Sequence, residues 1–327
     1  MGQSRTKTAK TRADAAGRDT VLCLLDAGLD RPIERRIYEG LEGALRARGY
    51  KPHFGVIPID PRAEVNRLLD TLGSSVAAIA IQPVRPNREL AETLLTAPVK
   101  NIPHIIIGHY YDDLMINACV VDNFGGMYAA TEHLILAGRQ RLAYVGEVSL
   151  SSTENERFQG FCMACLQHGI RVPHEFIVPS YFESDLRVRM RSLFSDPEPP
   201  DGIVCLFDTA GMRVLKVLKQ LDIGVPDRVA VISMGDDEDL AETLCDPPLS
   251  TAYHPAVEMG KAAATRLADL IEARIPQTPS IMVVPVAMHI RASSGSPPHL
   301  LPNGKDFWPV PLSGYVGMPV PASIVRP

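Results

Sequence analysis

Short apolar runs alternate with longer stretches of helical periodicity along residues 20–290. The runs at 20–25 and 202–206 are bounded by turn-forming or polar residues, which is typical of buried strands. Between such runs, apolar residues recur three or four positions apart, as they do in 123–137, and this spacing predicts helices. Regular alternation of strand and helix predicts an α/β fold whose sheets are mostly parallel.

The stretch 120–169 shows this alternation most clearly. Asp122 and Asn123 can accept hydrogen bonds from free amides, so they predict a helix start, and Gly138 supplies the left-handed residue that ends it. A short strand at 142–145 follows, then a loop rich in hydroxyl and amide side chains at 149–155. Loops at the carboxyl ends of strands form the ligand crevice of open α/β sheets, so this loop is a candidate binding site.

The same periodicities predict the remaining elements. Further strands are expected at 53–59, 77–82, 103–107, 229–233 and 281–290. Further helices are expected at 32–48, 64–72, 88–95, 210–221 and 254–273. Asp208 is interpreted as a cap of the helix at 210–221 rather than as a ligand contact.

Composition narrows the class of protein. The chain has 327 residues, 46% hydrophobic and 22% charged, which is typical of a soluble globular protein with two domains. A net charge of -5 and a pI near 6.0 argue against a core that holds nucleic acid by itself. No apolar run approaches the ~20 residues of a membrane span, and the basic start lacks the apolar segment of a secretory signal. A cytoplasmic location is therefore expected.

Six cysteines fall mostly inside apolar strand or helix patterns and are expected to be thiols in a reducing compartment. Cys162 and Cys165 form a CxxC pair, which in other contexts binds zinc or carries out redox chemistry. This pair lies within a predicted helix, with no second CxxC and no nearby HxxxH. We therefore interpret it as two small apolar residues on one helix face, and we expect no metal or cofactor.

Several segments together resemble the effector-binding core of the LacI/GalR bacterial repressors. They are VDNFGG, EHLILAGRQRLAYVG, SSTENERFQGF, PDGIVCLFDTAGMRVLKVLKQLDIGVPDRVAVISMGDDEDL, PPLSTAYHPAVEMGKAA and HIRASS, in the family's order and spacing over roughly residues 20–294. The resemblance implies a type I periplasmic-binding-protein-like α/β fold, in which two Rossmann-like lobes with parallel sheets are joined by three crossings. The expected N-terminal lobe is 20–122 plus 253–275, and the expected C-terminal lobe is 123–252 plus 276–294.

The two ends of the chain differ from this core. Residues 1–19 form a polar, basic arm that is expected to be disordered, with non-specific attraction to DNA as the alternative. No helix-turn-helix pattern precedes the core, which departs from the repressor family. The Pro-rich tail at 295–327 cannot form a regular helix, and its sequence leaves open whether it is disordered or docked in a groove.

Arg157 is the leading candidate for a binding residue. It stands near the start of a predicted helix, whose free amides favour anionic or hydroxyl-rich ligands, and its guanidinium offers five forked donors. In the family that this chain resembles, the matching arginine holds the effector. The alternative is a surface pair with Glu154 or Glu156, which we regard as the weaker interpretation.

The resemblance assigns further effector-binding positions. Ile33 and Glu34 follow the helix-starting Pro32, and Glu34 is equally well explained as a solvated first-turn carboxylate. The other expected effector-binding residues are His109, Tyr110, Phe182, Phe207 and Asp236. A histidine in a loop is more often simply solvated, so the role of His109 rests on the resemblance.

Two of these positions depart from the sugar-responsive family members. Those members have Asn where this chain has Phe207, and an Asp where direct alignment places Gly235, so that Asp236 substitutes only if the loop shifts by one residue. A phenyl ring offers a flat apolar surface in place of an amide that binds hydroxyls. A simple monosaccharide is therefore a less natural ligand here.

The resulting hypothesis is a small-molecule-sensing transcriptional regulator of the LacI type, homodimeric, that responds to a sugar or related metabolite. Operator DNA is a partner by resemblance only. The alternative is a stand-alone solute-binding protein for transport or signalling, which would normally carry an export signal. An enzyme is disfavoured, because no GxSxG, P-loop, GxGxxG, HExxH or spaced zinc set occurs in the sequence.

Overall fold

The computed structural model describes residues 18–25, 32–57, 75–83, 86–96, 99–148, 151–179, 183–235 and 240–295, together with residues 67 and 70. The chain divides into two compact units. The first comprises Met1–Val120 and Ala256–Val284, and the second comprises Val121–Pro255 and Pro285–Pro327. In the part of the chain that is described, no helix is long and apolar enough to cross a membrane.

The first unit is built on a six-stranded sheet. Its strands are β1 (Thr20–Leu25), β2 (Lys51–Val56), β3 (Val76–Gln82), β4 (His104–Ile107), β5 (Ala118–Val121) and β11 (Ile281–Val284), which follows in the last segment of this unit. They are arranged in the order β11-β5-β4-β3-β1-β2, and the pairs from β5 through β2 are parallel. Strand β3 is buried along its whole length, which explains its unbroken run of apolar residues.

Helix α1 (Pro32–Ala47) buries one of its faces in the core of this unit. Ile37, Leu41 and Leu45 recur four residues apart and are all buried, as expected of an amphipathic helix that covers a sheet. The described part of the first unit also contains α2 (Arg88–Leu94) and, late in the chain, α7 (Ala256–Ile271).

Helices α1 and α7 approach each other closely at two glycines. A side chain on Gly40 would overlap the carbonyl of Val257, and one on Gly260 would overlap the carbonyl of Ile37. Glycine is therefore required at both positions for the two backbones to come so near. Arg48, which directly follows α1, forms ion pairs with Asp269 of α7 at 2.9 Å and with Glu272, just after α7, at 3.0 Å.

The second unit contains a second six-stranded sheet. Its strands are β6 (Leu142–Val145), β7 (Ile177–Val178), β8 (Gly202–Cys205), β9 (Ala230–Gly235), β10 (Ser250–Tyr253) and β12 (Ala287–His289), in the order β12-β10-β9-β8-β6-β7. Only the pair of β10 with β12 is antiparallel, and the other four pairs are parallel. Two mainly parallel sheets confirm the predicted α/β class.

Four α-helices belong to the described part of the second unit. They are α3 (Asn123–Leu136), α4 (Ser152–Gln167), α5 (Glu183–Phe194) and α6 (Asp208–Gln220). Asp122 caps α3 by accepting a hydrogen bond from the amide of Gly125 at 2.8 Å, as its position in the sequence predicts. Gly138 has φ 92 just beyond the end of α3, which confirms the predicted left-handed helix stop.

A buried polar network holds residues 293–294, near the end of the described part of the second unit. His133 Nε2 lies 2.9 Å from Ser294 Oγ, which lies 2.7 Å from Ser250 Oγ. Ser293 Oγ donates to the carbonyl of Val231 at 2.7 Å and accepts from the amide of Ser250 at 2.8 Å. The segment HIRASS, one of the motifs that carry the family resemblance, thus forms structural hydrogen bonds to β9 and β10.

The observed boundaries refine the expected ones. The chain passes between the units three times, at 120–121, 255–256 and 284–285. We expected 276–284 in the second lobe, but β11 joins the sheet of the first unit beside β5. The predicted strand at 281–290 is two strands, because Val284 and Ala287 belong to different sheets, and the helix predicted from 254 begins at Ala256. The helix predicted at 64–72 lies largely outside the described residues.

Candidate functional site

Arg157 lies at the centre of a polar cluster near the carboxyl ends of the strands of the second unit. It belongs to α4, and only 2% of it is exposed. Its Nε donates to Asn123 Oδ1 at 2.9 Å, and its Nη1 donates to the carbonyls of Leu206 and Met234 at 2.7 and 3.3 Å. These acceptors belong to α3 and to the ends of β8 and β9, so a single side chain joins three elements.

The acceptors around Arg157 are all uncharged. Within the described residues, no carboxylate accepts a hydrogen bond from its guanidinium, and Nη2 donates to none of these residues. Burial lowers the pKa of Arg157 to about 10, although Tyr144, Asp208, Glu154 and Glu156 oppose this by stabilising the cation. The charge is therefore held in a dry position without a bonded counter-ion, and the surface pair with Glu154 or Glu156 is wrong.

Phe207 covers the guanidinium of Arg157. The Arg157 Cζ atom lies 4.9 Å from the centroid of the phenyl ring, within the range of a cation–π contact. Phe207 occupies the N-cap position of α6 and makes no side-chain capping bond, although Asn, Asp, Ser or Thr is preferred at such positions. It is 38% exposed, so this apolar ring is partly open to solvent at the carboxyl end of β8.

Asp208 lies behind this pair and is only 3% exposed. Its Oδ1 accepts from Ser233 Oγ at 2.6 Å and from Thr251 Oγ1 at 2.7 Å. The interpretation of Asp208 as the cap of α6 is therefore corrected: the helix already includes Asp208, its N-cap is Phe207, and the carboxylate bonds to β9 and β10 instead.

Gly235, at the end of β9, explains the position of this carboxylate. A side chain on Gly235 would overlap the carboxylate of Asp208. Asp208 thus fills the space that a side chain on residue 235 would need. The carboxylate beside position 235 thus comes from Asp208, at the start of the helix that follows the neighbouring strand.

Asn123 is a site residue that the sequence interpretation treated only as a cap. It is 1% exposed, and its amide accepts from Arg157 through Oδ1 while Nδ2 donates to Glu156 Oε2 at 3.3 Å. The amide therefore links the buried guanidinium to a carboxylate one residue away along α4. The sequence did offer one sign of this role, because Asn123 is a polar residue within two positions of the end of a buried strand.

In the first unit, His109 and Tyr110 follow the end of β4. His109 is 4% exposed, and its Nε2 lies 3.5 Å from Tyr111 Oη, with the two rings edge to face. Burial lowers the pKa of His109 to about 4. The interpretation of a solvated loop histidine is therefore wrong, because His109 is buried and neutral at physiological pH. Tyr110 is half-buried.

Ile33 and Glu34 begin helix α1 of the same unit. Glu34 is 2% exposed, so it is not the solvated first-turn carboxylate of the alternative interpretation. Ile33 is half-buried. Gln82, at the carboxyl end of β3, is another polar residue that sequence reasoning missed: it is 6% exposed, and its Oε1 has no hydrogen-bond partner among the described residues. Its signal was a polar residue closing the apolar run VAAIAIQ.

The remaining residues singled out in the sequence are two effector-binding candidates and the cysteines. Phe182 and Asp236 lie outside the described residues. All six cysteines are free and buried, and Cys162 and Cys165 lie on the buried side of α4, as the apolar interpretation predicts. Burial raises the pKa of the Cys162 thiol to about 12, so it is not a thiolate at neutral pH. Within the described residues, no group of His, Cys, Asp or Glu is placed to hold a metal ion.

Comparison with known proteins agrees with this architecture. Residues 131–294 match the family described as "Periplasmic binding protein-like domain". The chain is 27% identical over 247 residues to the arabinose metabolism transcriptional repressor of Geobacillus stearothermophilus, covering 73% of this chain and 66% of that protein. The chain thus spans a little under two thirds of this relative.

Solved structures share the fold. A complex of the transcriptional regulator CelR with cellobiose has a TM-score of 0.72 at 23% identity, covering 89% of this chain and 91% of that one. A regulatory protein of the LacI family from Chloroflexus aggregans has a TM-score of 0.74 at 20% identity, covering 84% and 98%. The expected resemblance to the effector-binding core of the LacI/GalR regulators is confirmed.

Proposed function

Because the chain belongs to the periplasmic binding protein-like domain family, we propose that it acts as the effector-binding core of a LacI-type transcriptional regulator. The carrying observation is the buried guanidinium of Arg157, which bonds to three elements and keeps Nη2 without an acceptor among the described residues. A buried charge without a bonded counter-ion is costly to folding, so its retention points to a ligand.

The effector is a small molecule, a sugar or a related metabolite, which binds Arg157 and contacts Phe207. We propose Asp236 and Phe182 as further effector-binding residues on the family resemblance alone, and on the same ground Ile33, Glu34, His109 and Tyr110. Support for this class of ligand comes from the relatives, among them a repressor of arabinose metabolism and a regulator in complex with cellobiose. No chemical step is assigned to the site: its role is binding, not catalysis.

The mechanism is a population shift. A ligand that binds one conformation more tightly than another moves the equilibrium toward it by the difference in the two binding free energies. In a homodimeric regulator, such a shift changes the affinity for operator DNA by a coupling free energy of typically ~1–3 kcal/mol. This role places the protein in the cytoplasm, where operator DNA is found.

Ligand binding is tested by a thermal-shift screen of the chain against sugars, sugar acids, phosphosugars, nucleosides and small aromatic metabolites. A ligand at ~100 times its dissociation constant adds about 2.7 kcal/mol to stability, which gives a clear rise in Tm. The binding of each hit is then measured by calorimetry in Arg157→Ala, with Arg189→Ala as the matched control, since Arg189 is exposed on α5. Loss of binding in the first variant alone supports the proposal, and equal binding in both contradicts it.

The regulatory output is tested by deleting the gene and measuring all transcripts with and without the hit. A regulator changes a defined set of transcripts on deletion, and the ligand reproduces that change in the wild type. A solute-binding protein, the alternative function, leaves transcripts unchanged while uptake of the labelled ligand falls.

A further inference from the structure

We infer that the effector carries a carboxylate on a flat ring, with the carboxylate at Arg157 and the ring against Phe207. This inference rests on the proposed effector-binding function and specifies the chemistry of the same site. It is carried by the pairing of a buried, under-bonded guanidinium with a partly exposed phenyl ring at 4.9 Å.

The unfilled hydrogen-bonding capacity of the guanidinium favours an anionic ligand. Nε and Nη1 are bonded to one amide oxygen and two backbone carbonyls, which leaves the two hydrogens of Nη2 for an incoming acceptor. A carboxylate forms stronger hydrogen bonds with a guanidinium than a hydroxyl or an amide does, because both partners are charged. The lowered pKa of Arg157 agrees, since its acidic neighbours do not fully offset the loss of hydration.

The neighbouring charges favour a single negative charge over a double one. Asp208, Glu154 and Glu156 all act on Arg157 electrostatically, although none of them bonds to it. The three carboxylates would repel a dianion such as a phosphate about twice as strongly as a monoanion, whereas the one guanidinium can neutralise only a single negative charge. A carboxylate therefore fits the balance of charge better than a phosphate.

Phe207 selects a flat partner. The side chain at an N-cap ordinarily accepts a hydrogen bond from the first helical turn, which is why Ser, Thr, Asn and Asp are preferred there. Here the position carries a ring that makes no capping bond and is 38% exposed. Aromatic rings pack on one another in offset or edge-to-face arrangements, so the exposed part of Phe207 fits a flat aromatic ring.

Access to Arg157 favours the same shape. The residue is only 2% exposed beside Phe207, so a group that reaches Nη2 must be thin. A carboxylate in the plane of its ring meets this requirement. Gly235 adds no side chain to this end of the sheet, and the carboxylate of Asp208 is already engaged by Ser233 and Thr251. Few side chains at this end of the sheet are therefore free to bind the hydroxyls of a sugar. A flat aromatic acid does not need such groups.

The test is calorimetry of the full chain with four kinds of probe of similar size. Benzoate and its monohydroxylated forms carry both features, benzamide keeps the flat ring without the charge, cyclohexanecarboxylate keeps the charge without the flat ring, and L-arabinose has neither. We expect a benzoate to bind at least ~10-fold more tightly than each of the other three, a difference of about 1.4 kcal/mol.

Two variants separate the two contacts. In Phe207→Leu, which alters a partly exposed residue and retains apolar character, the preference for benzoate over cyclohexanecarboxylate is expected to disappear while the preference over benzamide stays. In Arg157→Gln, the preference over benzamide is expected to disappear. Circular dichroism checks the fold of both, and the Phe207→Leu result stands alone if Arg157→Gln does not fold.

The outcomes are distinct. Equal binding of benzamide and benzoate, or no binding of any benzoate, overturns the inference. If L-arabinose or another neutral sugar binds in an Arg157-dependent way, the proposed effector-binding function stands and only this inference fails. If no compound of the wider screen binds and gene deletion changes no transcript, the proposed function fails as well.

Discussion

The carboxylate of Asp208 occupies the space that a side chain on Gly235 would need. The two residues end up together because β8 and β9 are parallel neighbours, so that their carboxyl ends lie at the same edge of the sheet. Asp208 begins the helix after β8 and Gly235 ends β9, and the two hydroxyls that bind Asp208 come from β9 and β10. The buried position of the Asp208 carboxylate therefore depends on the absence of a side chain at residue 235.

Gly235→Ala is expected to destabilise the protein. The new methyl group would overlap the carboxylate of Asp208, which two hydroxyls hold in place, and overpacking of this kind costs ~1–3 kcal/mol. Urea denaturation measures the loss. Gly224→Ala is the matched control, because nothing lies within 4 Å of the methyl group it would add. Equal stability of the two variants would show that Asp208 moves aside freely.

Asp208→Ala and Asp208→Asn are expected to differ. The alanine variant removes the closest acceptor of Ser233 Oγ and Thr251 Oγ1, which keep only longer contacts to the carbonyls of Ser250 and Ala252 at 3.3 and 3.4 Å, and we expect a loss of about 1–3 kcal/mol. The asparagine variant keeps an oxygen that can accept both bonds, so its loss is smaller. Denaturation of both proteins measures the difference, and identical losses would mean that the hydroxyls find other acceptors.

Gly260→Ala is expected to weaken the packing of α1 against α7. A methyl group at this position would collide with the backbone of Ile37 and come within 2.7 Å of the amide nitrogen of Leu41, and backbone atoms cannot move aside locally. A loss of ~1–3 kcal/mol follows from separating the helices.

Gly43→Ala tests this explanation, since Gly43 also lies in α1 but has nothing within 4 Å of an added methyl group. There the better helix propensity of alanine should raise stability by ~0.5–1 kcal/mol. If both glycine variants lower the free energy of unfolding alike, close approach is not the reason for the loss at Gly260.

His133 is expected to make stability depend on pH. Burial lowers its pKa from 6.5 to about 4 in the folded protein, where Nε2 bonds with Ser294 Oγ. Between these two values, the unfolded state binds more protons than the folded state, so stability falls as the pH falls from 6.5 toward 4. Above pH 6.5 the histidine is neutral in both states and the contribution is complete.

The measurement is the difference in urea stability between wild type and His133→Gln at several pH values from 7 down to 4.5. The variant should lose less stability on acidification, by up to a few kcal/mol, because each unit of pKa difference corresponds to about 1.4 kcal/mol. His109 is shifted in the same direction, so it remains as an internal reference in the variant. Parallel pH curves would exclude His133 as the source.

The elements of the fold were largely predictable from the order of residues along the chain. Apolar runs such as 76–82 have no polar position because both faces of the strand are covered, and this leaves a direct trace in the sequence. The cap Asp122 and the helix stop Gly138 are equally local, since a side chain or a φ value within one turn determines each. The segment at 281–290 was mistaken, because its division between two sheets depends on partners distant in sequence.

The site divides in the same way. Arg157 could be identified from its place near a helix start and from the family resemblance, but its bonds to Asn123, Leu206 and Met234 join residues up to 77 positions apart and leave no pattern to find. Burial was the property that the sequence did not show: a solvated side chain was the alternative interpretation for Glu34 and for His109, and both are almost fully covered. Exposure depends on what packs around a residue, which local sequence does not record.

By itself, the sequence determined the alternation of strands and helices and the α/β class, because these follow from periodicity and from short-range hydrogen bonding. Tertiary structure alone decided that Asp208 fills the place of a side chain at 235, that Phe207 covers a guanidinium without a bonded carboxylate, and that the last strands belong to different sheets. Those features arise where parallel strands bring distant residues to one edge, and the physical reason is that packing and desolvation act between neighbours in space.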